Sequence, residues 1–285
     1  MKLVGAVTQG SGAINEDGWG CVCGEEDVSA AWVFDGVTGI NGQNFLGRGS
    51  DAAWLVAKAD GHLRLLAGLD LPLRQILARL VQALIADYEA AWKTVDFPGD
   101  YDPPAACLIL LKRYGMTWQA LRLGDSCLLA SGGDGEHLSV AASPNNAFDH
   151  WLKTEAAKRR AAGKLDVEAL LAEFRPQLAE GRKWRNRPGG YSILEASPSA
   201  LEFAEYFELG LPQEILLCTD GYYRAVDHYS LYSEEGLLEA SLLPGGVNAV
   251  LSSIRTVEAS DPGCTKYLRF KPADDATAVA LRKSC

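Results

Sequence analysis

Aspartates in this chain fall repeatedly at the ends of dense apolar runs, and that placement constrains the fold more than any other feature. AAWVF leads directly into Asp35 and ILLCT into Asp220, while Asp274 and Asp275 precede ATAVAL. Asp125 lies between ALRLG and SCLLA, and Asp17 sits between a polar loop and the run that starts at Gly18. Short apolar runs bounded by turn residues read as strands. The acids therefore fall at strand ends, and strand ends bring distant parts of a chain together. Any one such aspartate is explained as a turn cap. As a set they are not, because Asp35 and Asp220 are each followed by glycine, which lets a backbone, ion or substrate approach closely.

The remaining pattern predicts an α+β fold. Strands are expected at Leu3–Thr8, Gly18–Cys23 and Ala30–Phe34. A helical period begins near Ser50 through Trp54, Leu55, Leu65 and Leu66, weakened at Gly61. A second helix follows Pro72, with Leu77, Leu80, Leu84, Tyr88 and Trp92 on one face. After a loop at Asp96–Pro104, strands are predicted at Ala105–Leu111, Thr117–Leu123, Cys127–Ala130 and Leu138–Ala141, with turns at Gly115 and over 132–135. Later strands are expected at Tyr191–Leu194, Glu214–Thr219 and Thr277–Leu281, and helix around Leu237–Ile254, broken at Pro244-Gly245-Gly246. Consecutive strands joined by short turns favour antiparallel pairing over the regular alternation of a doubly wound sheet.

Composition removes several functions. The 285 residues, 48% hydrophobic, suffice for a substantial core and exclude a disordered chain. A formal charge of -10 disfavours a general nucleic-acid binder, and Trp184 among basic residues is too slight a signal to reverse that. The start reads as no signal peptide, and no 18-residue apolar run suggests a membrane span. Seven cysteines without zinc or disulfide spacing predict reduced thiols and a cytoplasmic protein, and nothing marks a dimer interface, so a monomer is expected. No GxGxxG or P-loop is present. His62, His137, His150 and His228 lack ligand spacing and read as surface or packing residues, and Cys218 reads as core.

Carboxylates without histidine or paired thiolates suit a hard cation, Mg2+ or Mn2+. Two such ions would serve phosphoester hydrolysis well.

At these same positions the chain resembles the metal-dependent Ser/Thr protein phosphatases, the PPM or type 2C family, in a bacterial-like form. Asn15-Glu16-Asp17 resembles the family's NED segment, and Asp35-Gly36-Val37-Thr38-Gly39 its DGxxG motif. Gly124-Asp125-Ser126 resembles GDS, Cys218-Thr219-Asp220-Gly221 resembles (S/T)DG, and Asp274-Asp275-Ala276-Thr277 resembles D(N/D)xT. The matches span residues 15–277 in the family's order. The resemblance implies one domain over 1–285, built as two packed antiparallel sheets flanked by helices, an αββα sandwich. It implies two Mn2+ or Mg2+ ions. Asp35 would bridge them, the Gly36 carbonyl would help to hold the second, Asp220 and Asp274 would complete the coordination of the first metal, and Asp17 would hold metal-bound water in the second site. Asp125, with Asp220, would hold a weaker third ion. Asp17, Asp35, Asp220 and Asp274 would then be the catalytic set, hydrolysing phosphoserine or phosphothreonine in a phosphoprotein by attack of metal-activated water.

Some positions depart from the family. The phosphate-binding Arg is Gly12 here, GDSR ends in Cys127, Pro103-Pro104-Ala105 stands at the GST segment, and residue 37 is Val. A basic insert at about 145–190 occupies the place of the family's flap. Residues 153–187 hold ten Lys/Arg and five Asp/Glu, with an amphipathic helix through Leu170, Leu171, Phe174 and Leu178. Arg182, Lys183, Arg185 and Arg187 are either solvated charges or a phosphate fork. Two alternatives stay open: a pseudophosphatase acting as a protein-binding regulator, and a phosphohydrolase for a small phosphoester.

Overall fold

The central strands are apolar on consecutive positions because both of their faces are covered. In the computed structural model, described for all residues except 25–26, 40–43, 100, 134–135, 142–146, 162–166 and 285, the chain opens with β1 (Lys2–Gln9), β2 (Gly18–Cys23) and β3 (Val28–Gly36). Side chains at 147–150, 153, 160–161, 167–168 and 170, those of His150 and Leu170 among them, also lie outside the described residues. Helices α1 (Asp51–Leu66) and α2 (Leu73–Trp92) follow. Next come β4 (Ala105–Tyr114), β5 (Thr117–Leu123), β6 (Cys127–Ser131) and β7 (His137–Val140). The basic segment forms α3 (Ala147–Ala161) and α4 (Val167–Arg182), two helices where one was expected. The chain ends with β8 (Leu194–Glu195), β9 (Glu205–Gly210), β10 (Glu214–Cys218), α5 (Asp220–Asp227), α6 (Glu234–Ser241), α7 (Gly246–Ser260) and β11 (Ala276–Arg282).

Among the described residues these strands make two antiparallel sheets, one in the order β1-β11-β10-β6-β7 and the other β2-β3-β4-β5-β9, with β8 against β4. The predicted αββα sandwich is the observed architecture. Alternate residues serve different layers. Ala31 and Val33 of β3, Ile109 and Leu111 of β4, Ile215 and Leu217 of β10, and Val279 and Leu281 of β11 meet between the sheets. Their neighbours Trp32, Phe34, Leu108 and Leu110 pack outward onto α1 and α2. Leu216, Cys218, Ala278 and Ala280 pack outward onto α5, α6 and α7. Cys218 is fully buried in that layer, the core role expected for it.

Local signals set several element ends. Ser50 caps α1 by accepting from the Ala53 N–H at 3.1 Å. Pro72 stands one residue outside α2, where its carbonyl accepts from Gln75 and Ile76 at 2.9 and 3.0 Å. Gly245, at φ 72°, ends the turn between α6 and α7 at the predicted break. The expected strand at Tyr191–Leu194 is reduced to β8, while Tyr191 makes only an isolated bridge with Arg185.

Leu108 is fully buried between its sheet and the helix pair. Leu108→Ala is expected to cost about 3 kcal/mol through lost burial and a residual cavity, read as a lower urea midpoint.

Candidate metal centre

The inward-facing rows turn polar at one end of the inter-sheet space. On β3 the row Ala31, Val33 continues to Asp35, and on β4 the row Leu111, Ile109 continues to Cys107. Asp35 and Cys107 are direct cross-strand partners. On β10 the row Ile215, Leu217 passes to Thr219, and on β11 the row Leu281, Val279 passes to Thr277. The same period that builds the core therefore delivers the site.

Five aspartates gather there. Asp35 feels the charges of Asp220, Asp17, Asp125 and Asp274, each from a different part of the sequence. Burial first, then those four carboxylates, push Asp35 well above the ordinary carboxylate range. Burial likewise raises Asp17, with the Thr219 hydrogen bond pulling it back and Asp220 pushing it further up. Asp274 is raised by burial and Asp220, against the pull of Arg224 and Lys271.

Each acid is held by identifiable contacts. In Asn15-Glu16-Asp17, Asn15 accepts from the Asp17 N–H at 3.1 Å and donates to Thr8 at 2.8 Å. Glu16 accepts from the Thr38 hydroxyl. Asp17 Oδ2 accepts from Thr219 Oγ1 at 2.9 Å, and Thr219 in turn accepts from the Thr277 N–H at 3.0 Å. Asp17 Oδ1 is buried with no hydrogen-bond partner among the described residues. Asp220 opens α5, 3.7 Å from Arg224. Arg224 and Lys271 both pair with Asp274. Burial opposes the charge on Lys271, but Asp274, Asp220 and Asp35 hold its ammonium above its usual pKa.

The two aspartates before β11 divide their work. Asp275 accepts from the Ser11 N–H and hydroxyl at 2.7 and 2.8 Å and from the Glu16 N–H at 2.7 Å, clipping the 11–16 loop to β11. Asp274 faces the acid cluster. The glycines after Asp35 and Asp220 let backbone meet backbone: a Cβ on Gly36 would lie 2.5 Å from the Glu16 carbonyl oxygen, and one on Gly221 1.9 Å from that of Asp275.

Arg182 and Arg185 of the basic insert are neither free solvated charges nor an open fork, whereas Arg187 is exposed. Arg182 and Arg185 both pair with Asp102, and Arg185 also donates to the Pro103 carbonyl at 3.1 Å. Arg182 further donates to the Thr38 carbonyl, which joins the arm to the loop after Asp35. Lys183 pairs locally with Glu180. The described histidines stand apart from the acids: His62 bonds Asp87 at 2.8 Å, His137 lies 4.0 Å from Glu235, and His228 packs edge-on against Tyr229. Cys107, Arg224 and Lys271 join the centre without having been singled out from the sequence, while Thr219 and Thr277 were read there only as members of the (S/T)DG-like and D(N/D)xT-like segments. Cys107 could have been found by counting alternate positions along its strand.

The donor chemistry fits divalent cations. Buried Asp17, Asp35 and Asp274, each pushed up by burial and by neighbouring carboxylates, with an unpartnered oxygen on Asp17, make a place where positive charge is favoured.

The family model for protein phosphatase 2C matches residues 4–242, and the chain belongs to that family. It is similar in fold to the serine/threonine phosphatase PstP/Ppp of Mycobacterium tuberculosis, at 17% identity and TM-score 0.55, covering 98% of each chain. Stp1 from Staphylococcus aureus is similar at 11% identity and TM-score 0.57, over 100% of this chain and 96% of that one. The PstP catalytic domain in complex with two manganese ions is similar at 17% identity and TM-score 0.53, over 97% and 95%. A search of the curated proteins finds no match.

Thr219 orients Asp17 and links it to β11, the kind of support whose loss typically weakens a metal site by 10–100-fold. Thr219→Val is therefore expected to lower Mn2+ affinity by about tenfold in calorimetry.

Proposed function

We infer that this chain is a metal-dependent serine/threonine protein phosphatase, hydrolysing phosphoserine and phosphothreonine. The observation that carries the reading is the convergence of Asp17, Asp35, Asp125, Asp220 and Asp274 at one end of the sheet interface of a protein phosphatase 2C fold. Asp35, with the Gly36 carbonyl, is assigned to hold two ions, Mn2+ or Mg2+, together with Asp220 and Asp274. Asp17 is assigned to the second ion's shell, and Asp125 with Asp220 to a weaker third. The two manganese ions of the PstP catalytic domain support that count. When bound, such ions activate water and offset charge on the phosphoryl oxygens.

The chain's own residues supply position and charge. Thr219 and Thr277 fix Asp17, and the Asp275 clip fixes the loop that carries Glu16 and Asp17. Gly12 offers no cation to a phosphate, and Arg182 and Arg185 are committed to Asp102. Lys271, with its side chain 46% exposed beside Asp274, is assigned to help draw the phosphate in. The substrate is assigned as a phosphoprotein, and the chain as a cytoplasmic monomer forming one domain with a helical arm at about 145–190. No helix among the described residues is long and apolar enough to cross a membrane.

Phosphate release from a phosphopeptide panel tests the reading. Release with Mn2+ or Mg2+ that EDTA stops and Asp35→Asn reduces at least about a hundredfold is the expected result. Folded, Mn2+-binding protein without release from any peptide would overturn it in favour of a pseudophosphatase. Lys271→Ala is expected to raise KM about tenfold, the weight of one charge-assisted hydrogen bond, in steady-state kinetics at saturating Mn2+.

A further inference from the structure

One wall of the centre is sulfur. Cys107 lies opposite Asp35 across the β3–β4 ladder and donates its thiol hydrogen to Asp125 Oδ1 at 3.1 Å. Ligand atoms of Asp35, Cys107 and Asp125 all fall within 4.8 Å of one another. The sulfur is held in place from above: Gly124 adopts φ +87°, and a Cβ there would sit 2.4 Å from Cys107 Sγ. Cys107 packs in one buried cluster with Ala105 and Ile193 and is 7% exposed. Asp17, 8% exposed and carrying the unpartnered Oδ1, faces the same Asp35.

Two carboxylates and a thiol form a donor set of different character from the all-oxygen set assigned above to Asp35, Asp220 and Asp274. Oxygen donors suit Mg2+ and Mn2+, whereas a thiolate selects borderline and soft ions such as Zn2+, Co2+ and Cd2+. We propose that Cys107, with Asp35 and Asp125, forms a binding site for a thiophilic divalent cation beside the hard-cation carboxylates. This rests on the metal-centre reading given above. On binding, the thiol proton passes to solvent as the sulfur–metal bond forms, and nothing is oxidised. Because Asp35 belongs to both donor sets, a thiophilic ion held by Cys107 competes with Mn2+ for that carboxylate. Zn2+ is thus expected to inhibit Mn2+-dependent turnover, reversibly on chelation.

Cobalt binding tests the proposal directly, because a sulfur-to-cobalt charge-transfer absorption in the near ultraviolet reports the thiolate itself. The full chain is stripped with chelator and carries Cys21→Ser and Cys23→Ser, since those two sulfurs lie 3.5 Å apart and would take up such an ion independently. The expected result is a band that saturates with Co2+, is abolished by Cys107→Ser, and needs about tenfold more Co2+ in Asp125→Asn, which keeps the sulfur but weakens a carboxylate ligand. Cys107→Val, apolar like its neighbours, guards against misfolding of the serine variant and should also abolish the band. A band that persists in both Cys107 variants, or no band in the parent, overturns the proposal. Phosphate release with Mn2+ is measured on the same parent. Release without a band defeats the thiolate assignment alone, and a band without release defeats the phosphatase reading while supporting the thiolate.

Discussion

Mutual repulsion among carboxylates is the force that the rest of this structure is arranged to withstand. Two unit charges 4 Å apart at an effective dielectric constant near 20 repel by about 4 kcal/mol. Here Asp35 alone faces four other acids. The acids cannot move apart, because each is fixed at the end of a strand, or beside one, whose inner face is zipped into the sheet interface. Arg224 and Lys271 relieve part of the repulsion at Asp274, and Thr219 stabilises one oxygen of Asp17. The rest is left for bound cations, so rigidity of the sandwich is a condition of the centre's affinity for them.

The sandwich also dictates which residue types stand in the centre. The inter-sheet rows are aliphatic along most of their length and change character at a common level: Val33 to Asp35, Ile109 to Cys107, Leu217 to Thr219, Val279 to Thr277. A one-residue slip of any of these strands would exchange its inner and outer faces and take its polar residue out of the centre. Registers such as Asp35 against Cys107 and Thr8 against Thr277 are therefore functional as well as structural constraints.

Much of this was legible in sequence. Strands buried on both faces leave dense apolar runs, and these located β3, β4, β10 and β11 and the acids at their ends. The edge strand β9 escaped because Glu205 and Glu208 interrupt a half-exposed segment, so neither an apolar run nor clean alternation marks it. Helix α5 escaped because its eight residues directly follow the Asp220 turn and are too few to show a period. Cys107 was hidden inside an apolar run, where a thiol passes for another core residue. The partner of Arg182 and Arg185 was hidden by distance, since Asp102 lies about eighty residues earlier in a proline-rich loop.

That last contact has a consequence for how relatives of this protein diverge. The helical arm touches the loop after Asp35 through Arg182, and a single carboxylate answers both Arg182 and Arg185. Exchanging the arm alone for that of a relative would strand Asp102, and importing this arm elsewhere would bury a guanidinium without a counter-ion. The heritable module is thus discontinuous, made of the arm and the distant loop around Asp102, and the two must be replaced together or not at all.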